Sequence, residues 1–207
     1  GNLTNSGTIY AFSSNSQVNS ASIAALNIIN QPGSLLSSML PASTNFGAAS
    51  LVSSMNLNLS AVQNIVNSGT IISSGNLSVT AGGSITNVIG LGSLANNPIM
   101  QAAGALNLQA PNVVNQGILA SLTNNLNIST ASLTNSAFIQ AAAGNLAIQN
   151  LIGNTLSINN LLGEISARDM LRFSTSELAA HDGNEGNILT PAVLSVDGGT
   201  LSAAVVG

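Results

Sequence analysis

Twenty residues separate one Leu-x-aliphatic triplet from the next along much of this chain. The triplets are Leu57-Asn58-Leu59, Leu77-Ser78-Val79, Leu106-Asn107-Leu108, Leu126-Asn127-Ile128 and Leu146-Ala147-Ile148, spaced by 20, 29, 20 and 20 residues. Leu156-Ser157-Ile158 reads as a further copy after half that interval, and Leu26-Asn27-Ile28 as an earlier one. A second motif is interleaved with the first: Leu3-Thr4-Asn5-Ser6-Gly7, Ile85-Thr86-Asn87 and Leu133-Thr134-Asn135-Ser136. Its related forms are Val66-Asn67-Ser68-Gly69-Thr70-Ile71 and Val114-Asn115-Gln116-Gly117-Ile118. Asn67 to Asn87 and Asn115 to Asn135 again span 20 residues, so two separate landmarks share one period. A fixed period of this size is the mark of a stacked repeat architecture.

Each landmark alternates apolar and polar residues, which is the strand period, and is bounded by Gly, Asn and Ser, which form turns. Helical stripes are rare, and Asn, Ser and Gly are poor helix residues. Two or three short strands closed by turns in each period make one coil of a β-solenoid. About eight such coils fit before Gly163, a rod roughly 40 Å long at the spacing between hydrogen-bonded strands.

Charge sharpens this reading. There is no Asp, Glu, Lys, Arg or His from Gly1 to Gly163, and all charged residues lie between Glu164 and Asp197. Stacking in register places like on like, which penalises charge and rewards aliphatic columns and amide ladders. Asn5, Asn67, Asn87, Asn115 and Asn135 are therefore expected at repeated turn positions, where Asn tolerates a left-handed backbone and can ladder with its neighbours. Small residues are expected at tight corners. The expected division is an uncharged solenoid over 1–163 and a charged C-terminal cap or linker over 164–207.

The period breaks twice, each time at Pro and extra apolar residues. Loops inserted into single coils are expected near 31–47 and 88–100. If their apolar residues face outward, Leu35, Leu36, Met39, Leu40, Leu91, Leu94 and Ile99 are candidate contacts with another subunit. In the tail, Ser174-Thr175-Ser176-Glu177 matches a helix capping box. The alternation over Ile165 to Phe173 is open to a helical reading too. Ala192 to Val196 and Thr200 to Val206 read as a hairpin or the last coil strands.

Functional chemistry is sparse. Net charge is −4, with no basic footprint for nucleic acid or an anionic membrane surface. No apolar run reaches the length of a membrane helix, and a β-barrel would need aromatic girdles that four Phe, one Tyr and no Trp do not supply. Cys is absent, which excludes disulfides and thiol chemistry. With no starting Met, a mature chain or an excised segment is expected. His181-Asp182-Gly183-Asn184-Glu185 holds metal-ligand residue types, but Gly does not fall at the sixth loop position that an EF-hand needs. No metal, cofactor or catalytic residue is assigned, and an enzyme is not expected.

The phrases VNSGTIISSGNLSVTAGGSITN (Val66 to Asn87) and VNQGILASLTNNLNISTASLTN (Val114 to Asn135) resemble the repeats of filamentous haemagglutinin and related two-partner-secretion adhesins. The resemblance implies a right-handed parallel β-helix, export to the bacterial surface, and adhesion or fibre formation. The Asn-Pro-Asn-Gly-type turn of that family's secretion domain is absent. The expected function is a fibre subunit or stalk segment whose first partner is another copy of itself. The alternative is a lateral adhesin surface for a host or neighbouring-cell receptor. Ice binding ranks last: Thr70, Thr80, Thr86, Thr123, Thr130 and Thr134 form no Thr-x-Thr series.

Overall fold

The computed structural model describes residues 1–41, 54–90, 97–151, 156–174, 193–197, 200–202 and 205–206; in the last three stretches it is the backbone that is described. The chain winds through eight coils of three short strands. The first coil holds β1 (Leu3–Asn5), β2 (Thr8–Tyr10) and β3 (Ser20–Ala25). The second holds β4 (Ile28–Asn30), β5 (Leu35–Ser37) and β6 (Asn56–Ala61). Then come β7 (Asn64–Asn67), β8 (Thr70–Ser73) and β9 (Leu77–Ala81), followed by β10 (Ser84–Asn87), β11 (Ile99–Ala102) and β12 (Leu106–Gln109). The fifth coil is β13 (Asn112–Asn115), β14 (Ile118–Ser121) and β15 (Leu126–Ser129), and the sixth is β16 (Ser132–Asn135), β17 (Phe138–Ala141) and β18 (Leu146–Gln149). The last two are β19 (Ser157–Leu161), β20 (Glu164–Ala167), β21 (Met170–Ser174) and β22 (Val193–Asp197), β23 (Thr200–Ser202), β24 (Val205–Val206).

Every third strand joins the same sheet, giving three 8-stranded sheets. Sheet A begins with β1, sheet B with β2 and sheet C with β3, and neighbouring strands pair in parallel. Among the described residues there is no helix. The fold is an all-β parallel β-helix. At the usual strand spacing its coils stack over roughly 35 Å.

Aliphatic columns fill the interior. Sheet A contributes Ile28, Ile65, Ile85, Val113, Leu133 and Ile158; sheet B contributes Leu36, Ile71, Met100, Leu119, Ile139 and Ile165. Sheet C contributes two per coil, such as Leu77 with Val79 and Leu106 with Leu108. These side chains are at most 2% exposed, and burial of each is worth roughly 1.5–3 kcal/mol. The corner between sheets B and C is narrow and takes small residues in register: Ser73, Ala102, Ser121, Ala141 and Ala167. The hydroxyls of Ser73 and Ser121 donate to Asn76 O and Asn124 O at 2.8 and 2.6 Å, so the corner buries no idle polar atom there.

Several details depart from the expectations. Ile28 and Ile158 stack in sheet A on Leu3 and Leu133, so Leu26-Asn27-Ile28 and Leu156-Ser157-Ile158 are not copies of the first motif. Its last copy is Leu171-Arg172-Phe173, in register with Leu146-Ala147-Ile148. The stretch 165–173 is two strands joined by a turn at Arg168 and Asp169 rather than helix: Leu171 and Phe173 point inward while Met170 and Arg172 are exposed, a period of two. The expected loop over 31–47 contains β5, and that over 88–100 ends inside β11. Six complete coils, not eight, precede Gly163, because extra residues lengthen several corners. Residues 193–197, 200–202 and 205–206 form parallel coil strands instead of a hairpin. The residues of the capping box after Ser174 lie outside the described residues.

A buried asparagine ladder and the outer faces of the rod

The strands β1, β4, β7, β10, β13 and β16 of sheet A each end on an inward-facing residue just before the turn into sheet B, and in β19 the matching residue is the last but one. In seven successive coils that residue is Asn: Asn5, Asn30, Asn67, Asn87, Asn115, Asn135 and Asn160. All are 6% exposed or less. The Nδ2 of each donates to the Oδ1 of the Asn in the next coil, at 2.8, 2.8, 2.7, 2.8, 2.8 and 2.7 Å in chain order. The sequence intervals are 25, 37, 20, 28, 20 and 25 residues, so the ladder keeps step although the coils differ in length.

The same amides hold their own turns. The N–H groups of Gly7, Gly69, Gly117 and Ala137 donate to the Oδ1 two residues back, at 3.1–3.3 Å. Spare Nδ2 hydrogens donate to turn carbonyls, as Asn67 does to Gly69 O at 3.1 Å, and to the next coil, as Asn115 does to Phe138 O at 3.1 Å. A buried amide without partners costs several kcal/mol, whereas a satisfied one adds about 1 kcal/mol per bond. A side chain that both donates and accepts in one plane suits an axial ladder; a carboxylate there would stack like charges. The turn needs Gly for space: a Cβ on Gly69 would lie 2.5 Å from Gln31 O, and one on Gly117 would collide with Pro98 O.

All five Asn residues expected at ladder positions belong to this column. Asn30 and Asn160 were not expected. Their signal is an apolar residue two positions before and a Gly three after (Gly33 and Gly163), hidden because neighbouring residues mimic the first motif. In the eighth coil the residue in register with Asn160 is Val196, which has no amide.

The expected contact residues scatter. Leu36 is core, 1% exposed. Leu35 and Ile99 are half-buried and share one outer column of sheet B, in the register series Thr8, Leu35, Thr70, Ile99, Ile118, Phe138, Glu164. Met39 is exposed and Leu40 half-buried; Leu91 and Leu94 lie outside the described residues. The threonines also disperse: Thr86 and Thr134 face outward on sheet A, Thr80 on sheet C and Thr70 on sheet B. Thr130 is buried, its hydroxyl donating to Pro111 O and Ser132 O.

Surface cavities lie on the outer faces among the described residues. One of about 420 Å³ is lined by Ile89, Phe138 and Leu162 with Gln116, Ser136 and Glu164. Another of about 480 Å³ lies along the same column, against Thr70, Ile99 and Ile118. A further one, about 300 Å³, sits on sheet C among uncharged hydrogen-bonding side chains such as Thr80, Asn107, Gln109 and Asn127. There Asn127 donates to Asn107 at 2.8 Å and Gln149 to Ser129 at 2.9 Å, a shorter outer echo of the buried ladder. Glu164, Arg168, Asp169 and Arg172 belong to the seventh coil, and Asp197 ends β22 in the eighth. His181 to Glu185 lie outside the described residues. Comparison with known proteins finds no matching family model, no matching curated protein and no matching solved structure.

Proposed function

We propose that this chain is a structural segment, a fibre subunit or stalk, of a secreted bacterial surface protein of the filamentous-haemagglutinin type. The observation that supports this reading most is the unbroken buried ladder from Asn5 to Asn160. It runs along the rod axis and ties each coil to the next by side chains as well as by three strands. Such a stack resists bending and pulling and holds a distal element away from a surface. Its function lies in being long and stiff, and no reaction is assigned to it. Self-association is part of the proposal, because the outer edge of a terminal coil in any such stack presents unpaired backbone groups that a second copy can pair.

Negative-stain electron microscopy of the purified chain over a concentration series tests this. Uniform filaments that lengthen with concentration support a fibre subunit. Single rods of constant length leave the stalk role and remove self-assembly. Globular or irregular particles sink the reading altogether.

A second reading, a lateral adhesin surface, is favoured by the outer column of sheet B, where Ile99, Ile118 and half-exposed Phe138 follow one another. Deleting this segment from the surface of the producing cell would then abolish attachment to its target.

A further inference from the structure

The turn between β19 and β20 departs from its counterparts in its backbone. It passes from Asn160 to Gly163 through Leu161 and Leu162, where the equally long turn after Asn30 passes through Gln31 and Pro32. Leu162 has φ 59°, the one positive φ at a non-glycine residue among the described residues. The left-handed conformation is costly for a branched, bulky side chain, and Gly or Asn normally takes it. The strain is not offset by burial, since Leu162 is 72% exposed. A residue that is both strained and exposed is held for what it presents.

Leu162 forms one wall of the 420 Å³ cavity. The other apolar walls are Ile89 and Phe138, each 50% exposed. Glu164, in register with Phe138, adds a carboxylate to this lining. It is the first charged residue of the chain, and no basic side chain among the described residues forms an ion pair with it. The cavity thus joins an apolar slot to one carboxylate that pairs with neither described arginine, with the neutral hydrogen-bonding groups of Gln116 and Ser136 beside them.

We infer that this cavity receives an arginine or lysine side chain from an extended segment of a partner protein. The aliphatic stem packs on Leu162, Phe138 and Ile89, and the cation meets Glu164. Long basic side chains have this division between an apolar stem and a charged head. Charge complementarity selects the occupant: an uncharged apolar side chain packs on the slot but gains nothing from the Glu164 carboxylate at its edge. This inference does not depend on whether the rod polymerises.

The test is a titration of the ¹⁵N-labelled full chain with a capped leucine-arginine-leucine tripeptide, using norleucine in place of arginine as the uncharged control. The arginine peptide should shift the amide signals of Phe138, Gly163 and Glu164 saturably. Glu164→Gln should weaken it about tenfold and leave the control unaffected. Leu162→Gly should weaken both peptides severalfold while keeping the turn. Either no shift from the arginine peptide, equal affinity for the two peptides, or unchanged binding by Glu164→Gln overturns the inference.

Discussion

The Asn67 Nδ2 donates to the side-chain Oδ1 of Asn87 at 2.7 Å, joining residues 20 apart in sequence and adjacent along the rod. Both are fully buried, and each also holds a turn or strand carbonyl: Asn67 bonds Ile99 O at 2.9 Å, and Asn87 bonds Ile118 O at 3.2 Å.

Removing one rung harms three coils. Asn87→Ala takes the acceptor from Asn67 and the donor from Asn115, and it frees the carbonyls of Pro98 and Ile118. The expected loss of stability is about 2–5 kcal/mol. Asn127→Ala, on the outer face, removes one part-buried bond and should cost under about 1 kcal/mol. Urea denaturation of the two variants beside the parent checks the ordering.

The core column of sheet C predicts a second loss. Leu106 is fully buried between Leu77 and Leu126 in register. Leu106→Ala leaves a cavity that neighbouring coils are too regular to close, and should cost about 2–5 kcal/mol. Thermal unfolding followed by circular dichroism at 218 nm or thereabouts, the usual strand band, reads it out. Because stacked repeats gain stability from nearest neighbours, the transition should also broaden.

Close approach at the turns makes a third case. A side chain at Gly117 meets Pro98 O and the Pro98 ring. Gly117→Val is expected to destabilise by about 1–3 kcal/mol through overpacking. A variant as stable as the parent would mean that the corner after β13 can open, and protease resistance would reveal it.

At Leu162 the sign reverses. Leu162→Gly relieves the left-handed backbone at an exposed position and should stabilise the chain by about 1 kcal/mol. A shift of the urea midpoint upward supports strain at this turn; a shift downward means that the leucine packs more than its exposure implies.

Trypsin offers a test of the strand assignment in the seventh coil. The chain contains two Lys or Arg residues in all, Arg168 and Arg172. Arg168 sits in the turn after β20, while Arg172 lies within β21, in register with Ala147 of β18. Limited digestion of the native chain should cut after Arg168 first, with little cutting after Arg172. Equal cutting at both sites, read by mass spectrometry, contradicts a paired β21.

The strand class, the coil period and most of the ladder were legible in the amino-acid order because they are local. Alternation of Leu, Asn and Leu states which residue points inward, and a charge-free run of this length states that like stacks on like. Asn5, Asn67, Asn87, Asn115 and Asn135 each follow an aliphatic residue two positions before, so their shared role follows from pattern alone. Asn30, Asn160, the true partner of Leu146 and the pairing of Phe138 with Glu164 were decided by the tertiary structure. Coil intervals of 25, 37 and 28 residues break the sequence period, yet the strands return to the same register. Extra residues leave at the corners, where they cost little, while the strands are held by backbone pairing and by the amide column inside. Register between coils is a property of contacts far apart in the chain, so local pattern names the members and stacking alone assigns their places.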